Sequence, residues 1–173
     1  MKVEVGSGQR PTPGYYHSDV TKQVDLDFHG PAWLIDVPDS SVEEVLALGV
    51  IEHMRYSEVK DSFFNVARML SPDGVFLFDV PDLGVWCDYL VRFTLGDQPP
   101  FGLDHILATL YGWQRWEGDE HKSGWTVERL ESLLHNCGFT RLRFGVEVFH
   151  ERGHHRRRMD DVEDAHIYVE AAL

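Results

Sequence analysis

The chain has 173 residues, a hydrophobic share of 43%, a charged share of 26% and a formal net charge of −13. That length suffices for a single domain with a buried core, expected to span residues 1–173. The acidic balance argues against a nucleic-acid partner, whose phosphates demand a broad basic surface. No apolar run approaches a membrane span, no leader is expected ahead of the first strand, and only two distant cysteines, Cys87 and Cys137, occur. Those features fit reduced thiols in a cytoplasmic protein rather than a disulfide framework.

Lys2 to Val5 reads as a short strand, with β-branched Val3 and Val5 and a stop at glycine. Gly6 and Gly8 then turn the chain at the strand's carboxyl end, where open α/β sheets bind ligands. The following segment, Gln9 to Gly14, holds two prolines and a glycine and cannot be a regular helix. Tyr15 to Val20 reads as a second strand ending near Asp19. The interval from Gly8 is shorter than the dozen or so residues of a normal parallel crossover. The first βαβ unit is therefore expected to be compressed or to lack its helix.

Gln23 to Phe28 alternates as a third strand, with Asp25 and Asp27 on its polar side, and Gly30-Pro31 ends it. Val42 to Leu48 predicts a buried strand stopped by Gly49, and a helix is expected from an N-cap at Ser57. Ser71 to Gly74 reads as the turn into Val75 to Val80, an apolar run suited to a central strand. Two helices follow, one carrying Val85, Trp86, Tyr89, Leu90 and Phe93, the other Ile106, Leu107 and Leu110. Gly112 to Gly124 is a polar, aromatic loop too rich in chemistry for a simple connector. Trp113, Trp116 and Trp125 are expected to pack as core or lid. A helix from the Thr126 cap to Gly138, a strand from Leu142 to Val148, a charged loop over 150–164 and a last strand from His166 to Ala171 close the chain. The basic run Arg156 to Arg158 is expected to pair locally with Asp160, Asp161, Glu163 and Asp164. The pattern predicts a three-layer α/β fold with a mostly parallel sheet and an antiparallel C-terminal strand.

Four stretches, in order, carry a resemblance. Val3-Glu-Val-Gly-Ser-Gly8 looks like the first motif of the class I methyltransferases that use S-adenosylmethionine. Leu48 to Met54 is similar to their strand-four motif, and Ala67 to Val75 to their turn before strand five, with Ser71 and Asp73 replacing the usual lysine and glycine. Tyr111 to Gln114, Asp119 to His121, Gly124 to Thr126 and Cys137 to Phe139 resemble a subgroup of small methyltransferases. The resemblance runs from Lys2 to about Phe149. It implies a Rossmann-like methyltransferase fold whose first crossover helix is shortened or missing.

By that resemblance, Gly6, Ser7 and Gly8 would underlie the methionine part of the cofactor, with Glu4 supporting the loop or the amine. Asp19 would take the ribose hydroxyls, and Asp27 (or Asp25, one register away) and Phe28 would border the adenine. Leu48, Gly49 and the residues to His53 would line the reacting end. Methyl transfer needs alignment more than proton chemistry, yet an oxygen or nitrogen acceptor can require a base. His53 is the first candidate and His121 the second, with Asp119 orienting His121 or the substrate. The expected acceptor is a small molecule or saccharide-like compound. The helices that cover the substrate in relatives have no counterpart ahead of Val3, so a large acceptor, a homodimer or both are expected. A methyltransferase-like binding or scaffold protein is the rival. His150, His154 and His155 are not expected to hold a metal, since adjacent histidines do not readily face one ion.

Overall fold

The computed structural model describes residues 1–21, 25–154 and 165–173. Seven strands form one sheet: β1 (Lys2–Val5), β2 (Tyr16–Asp19), β3 (Phe28–His29), β4 (Val42–Leu48), β5 (Leu70–Pro81), β6 (Arg141–Phe144) and β7 (His166–Ala172). Their order across the sheet is β3-β2-β1-β4-β5-β7-β6, parallel except for β7, which runs antiparallel to both β5 and β6. The helices are α1 (Tyr56–Met69), α2 (Leu83–Thr94), α3 (Leu103–Tyr111), α4 (Val127–Asn136) and the short α5 (Glu147–His150), with 3-10 turns at Ala32–Leu34 and Ile51–His53. No helix among the described residues is long and apolar enough to cross a membrane.

Strand periodicity sorts side chains onto two faces. In register across the sheet, Val3, Val45, Phe76 and Ala171 line one face, followed by Val5, Ala47, Phe78 and Val169. This face packs against α1 and α4, whose buried Val59, Phe63, Val66, Leu130 and Leu134 complete the main core. Alternate positions place Glu4, Leu46, Leu77 and Glu170 on the other face. Among the described residues, Tyr15, Val146 and the apolar side of α5, Val148 and Phe149, join the strand residues in the apolar cluster there.

The first crossover has no helix. Residues 6–15 pass from β1 to β2 as turns, in keeping with Pro11 and Pro13, yet β1 and β2 still pair in parallel. Three local expectations change. The turn at 71–74 is an irregularity within β5: Val42 pairs with Leu70 and Glu44 with Val75, so four residues bulge out. Gly74 permits this, because a Cβ there would lie 2.7 Å from the Val42 carbonyl oxygen. The strand expected over 142–148 ends at Phe144, because Gly145 takes φ 120° and residues 147–150 coil into α5. Helix α1 begins at Tyr56 rather than after Ser57, with the Glu58 carboxylate accepting from Arg55 N at 2.7 Å. The third strand is limited to Phe28–His29; Gln23 and Val24 lie outside the described residues, as do His155 and the charged run 156–164.

Candidate active site at the carboxyl edge of the sheet

The carboxyl ends of β1, β2, β4 and β5 face one side of the molecule, and two groups of residues gather there. The first is the glycine loop. Gly6 and Gly8 both adopt left-handed φ, 65° and 55°. Gly6 N and Ser7 N donate to the Ser18 carbonyl, and Gly8 N donates to Asp19 Oδ2 at 2.9 Å. Asp19 Oδ1 accepts from Thr21 N at 2.7 Å. The buried Asp19 carboxylate therefore holds the loop by accepting from backbone N–H groups. Each oxygen keeps a lone pair for a second donor.

Glu4 is likewise committed. Its carboxylate accepts from Thr12 N and Thr12 Oγ1, both at 2.7 Å, and pairs with His17 Nδ1 at 3.1 Å. Of the two roles expected from the resemblance, these bonds are those of a loop tether, fastening the proline-containing crossover to the sheet. Asp27 Oδ2 accepts from His17 N at 2.7 Å, while the exposed Asp25 takes φ 69°. The Phe28 ring lies 6.5 Å from that of Tyr16.

The second group sits over β4 and β5. Leu48 runs into Gly49, which has φ 62° and donates from N to Asp79 Oδ1 at 2.9 Å. Glu52 and His53 follow in the 3-10 turn, and His121 arrives from the long loop. The loop is fixed by backbone pairing: Lys122 N and Ser123 N donate to the Glu52 carbonyl, and His121 N donates to the Tyr111 carbonyl. Gly112 pairs with Glu120, and a Cβ on Gly112 would stand 2.1 Å from the Asp119 carbonyl oxygen, so only glycine allows this closure. The His53 and His121 rings consequently meet edge to face at 4.8 Å. Asp119 is buried beside them, accepting from Arg115 N at 3.0 Å and Nε at 3.1 Å.

Burial sets the proton affinities of this group. It pushes the His53 imidazole below its usual range, against the opposing pull of the Glu120 carbonyl and the Asp119 charge. It pushes His121 further, to about 4, with the proximity of His53 adding to the effect. Burial would raise the Asp119 carboxyl, but the Arg115 hydrogen bonds outweigh it and hold that group below its usual range. Both imidazoles are thus neutral at physiological pH, and His121 is a weak proton acceptor for a base.

Sequence reasoning named Glu4, Gly6, Ser7, Gly8, Asp19, Asp27, Phe28, Leu48, Gly49, His53, Asp119 and His121; the fold sets Asp27 just ahead of the outer strand β3, Phe28 at its start, and the others on this edge or in its loops. The same reasoning named Glu52 only within the stretch from Leu48 to His53, and it missed Asp79 and His166. Glu52 is buried next to His53, Asp79 is wholly buried in β5, and His166 Nδ1 lies 3.2 Å from Asp79 Oδ2. The signal for Asp79 was a lone charge in an apolar strand. For His166 it was only position at the start of the last strand. Trp125 is buried, whereas Trp113 and Trp116 are 48% and 59% exposed, so the loop's outer aromatics do not join the core. His154 is engaged elsewhere, by Glu44 Oε1 at 2.9 Å and Tyr15 Oη at 3.0 Å.

No protein-family model matches the sequence, and no curated protein matches it. Solved structures do. A SAM-dependent methyltransferase from Thermotoga maritima superposes with a TM-score of 0.61 at 12% identity, over 98% of this chain and 80% of that one. The citrinin polyketide synthase CMeT domain gives 0.58 at 16% identity. Burkholderia thailandensis 1,6-didemethyltoxoflavin-N1-methyltransferase, solved with 1,6-didemethyltoxoflavin and S-adenosylhomocysteine, gives 0.57 at 14% identity over 98% of this chain and 69% of that one. The fold is that of the class I methyltransferases. The match to the CMeT structure covers 99% of this chain and 45% of that one, so this chain spans less than half the length of that structure.

Proposed function

We propose that the protein is an S-adenosylmethionine-dependent methyltransferase acting on an oxygen or nitrogen of a small-molecule or saccharide-like acceptor. The observation that carries this reading is the junction of the Gly6–Gly8 loop and Asp19 at the carboxyl ends of adjacent parallel strands. The residues fit the cofactor in kind. Ser7 Oγ is buried without a hydrogen-bond partner among the described residues, so the loop presents an unmet polar group. Gly6, Ser7 and Gly8 would hold the methionine end, Asp19 the ribose, and Asp27 with Phe28 the adenine.

When bound, the sulfonium supplies an already activated methyl group, which leaves alignment and exclusion of water to the protein. His53 and His121 would orient an acceptor by hydrogen bonds from a half-buried crevice, and Asp119 keeps their loop in place through Arg115. The low proton affinity of His121 suits an acceptor that is already nucleophilic, or one whose proton leaves by another route.

The rival reading is a methyltransferase-like binding module. It is favoured by Val50, whose Cγ2 would stand 2.3 Å from a Cβ on Gly6 and so fills the space against the first glycine. Calorimetry with S-adenosylmethionine and S-adenosylhomocysteine separates the two. Saturable heat with either is expected. Asp19→Ala should then weaken binding by about tenfold or more, the scale of a hydrogen bond to a charged group. Absence of heat with both ligands would leave the binding-module reading standing.

A further inference from the structure

We propose that Glu52, His53 and His121 form a binding site for one divalent transition-metal ion. One ligand atom from each residue lies within 4.8 Å of the other two. Zinc–nitrogen and zinc–oxygen bonds place tetrahedral ligands about 3.4 Å apart, so closing the triad needs side-chain shifts of about 1 Å. The two rings already meet edge to face, and the backbone bonds from Lys122 and Ser123 to the Glu52 carbonyl bring the two contributing segments together without any metal.

The surroundings are those of a metal-binding histidine pair. His53 Nδ1 sits 3.2 Å from the Glu120 carbonyl, to which it can only donate, and that fixes the tautomer with the Nε2 lone pair directed elsewhere. The backbone of Thr109 also favours the proton on His121. Asp119 contributes negative charge close by. Glu52 and His121 also line a cavity of about 20 Å³, walled by Trp86, Leu83 and Trp125, which is room for one water-sized species. Apolar walls around charged and imidazole ligands raise the gain from binding a cation there.

Two imidazoles and one carboxylate select zinc, manganese, iron or cobalt over magnesium or calcium, which prefer all-oxygen shells. Three protein ligands leave a coordination position open for water or for an oxygen of an acceptor. The site uses none of the residues assigned to the ribose, the adenine or the glycine loop, and it shares His53 and His121 with the pair proposed to orient the acceptor.

The test uses the full chain, stripped with EDTA and titrated with Co²⁺ and with Zn²⁺ in the absence of S-adenosylmethionine. The expected result is a saturable visible Co²⁺ band, one equivalent of metal by calorimetry, and displacement of Co²⁺ by Zn²⁺. His121→Ala and the near-isosteric Glu52→Gln should each weaken binding by more than about tenfold, while His154→Ala should leave it unchanged. A wild-type protein with no saturable Co²⁺ band overturns the proposal. So does binding as tight in both triad variants as in wild type, with circular dichroism confirming that Glu52→Gln folds. Because no cofactor is present, failure here is distinct from failure to bind S-adenosylhomocysteine.

Discussion

The two faces of the sheet are built on different principles. On one, α1 and α4 cover an apolar lattice in which Phe63, Phe76, Phe78 and Phe139 are at most 1% exposed and pack tilted or edge to face with ring centroids 4.7–6.1 Å apart. On the other, where the first crossover lacks its helix, buried carboxylates reach up from the strands and hold the covering segments by name. Glu4 takes Thr12 and His17; Glu44 takes Tyr15, His154, Lys2 and Arg152; Glu170 takes Arg143 and Arg152. A helix covers a sheet by area, which is non-directional and insensitive to pH. Carboxylate tethers cover it by a few directional bonds, each of which fails when its partner is lost or its charge is neutralised.

The largest test of this contrast is on the apolar face. Phe76→Ala should destabilise the protein by about 3–5 kcal/mol, read from the urea midpoint at unchanged slope. A loss below about 1 kcal/mol would mean that the aromatic lattice is not the main core.

Glu44 sharpens the contrast from the other side. Burial would raise its carboxyl, but hydrogen bonds from His154 and Tyr15 and the charge of Lys2 outweigh that and hold it at about 2. The opposite partner follows suit: burial and the Glu44 carboxylate push the Tyr15 hydroxyl well above its usual range, so it stays a donor. A carboxyl lowered in the folded state stabilises above its unfolded value, here 4.5, and that contribution fades as pH falls through about 2. Wild type should therefore lose stability between pH 4.5 and 2 more steeply than Glu44→Gln. At pH 7 the variant should be about 1–3 kcal/mol weaker than wild type. Parallel acid melts of the two proteins would refute the tether.

The apolar face was legible in the sequence and the tethered face was not, for a physical reason. The helical spacing of Val59, Phe63 and Val66 and the run Val75 to Val80 announce burial by residue type alone. The resemblance alone gives Glu4 its expected role in supporting the loop. Glu44 and Glu170 sit in strands whose neighbours announce burial by residue type, and nothing local says that Tyr15 or Arg152 will come over those two carboxylates. The missing helix was legible, because Pro11 and Pro13 forbid it; what replaces it depends on contacts between distant residues. The active-site edge divides in the same way. Gly6, Gly8 and Asp19 stand where strand ends place them, and His53 follows β4 closely. His121 reaches His53 only through Gly112, whose left-handed φ of 82° and close approach to Asp119 close the loop. The β-register of 142–148 was misread because Leu142, Phe144, Val146 and Val148 alternate, yet Gly145 between them breaks the strand and turns Val148 onto the thinly covered face.

The smallest expected effect joins the tethered face to the cofactor loop. Thr12→Val keeps the shape of the side chain and the Thr12 N bond to Glu4, and removes only the hydroxyl bond to Glu4 Oε1 at 2.7 Å. Glu4 retains His17 as a partner, so global stability should fall by about 1 kcal/mol or less. The loop that Thr12 anchors leads directly from Gly8 to β2, and looser anchoring should appear in S-adenosylhomocysteine affinity, by up to about fivefold for the same energy. Phe76→Ala at a temperature where it remains folded should leave that affinity nearly unchanged, because its face lies behind the sheet from the Glu4 tether. The ratio of the two affinity changes, set against the ratio of the two stability losses, tests whether the tethers shape the site as well as cover the sheet. If Phe76→Ala lowers affinity more than Thr12→Val does, the loop is governed by the core and not by Glu4.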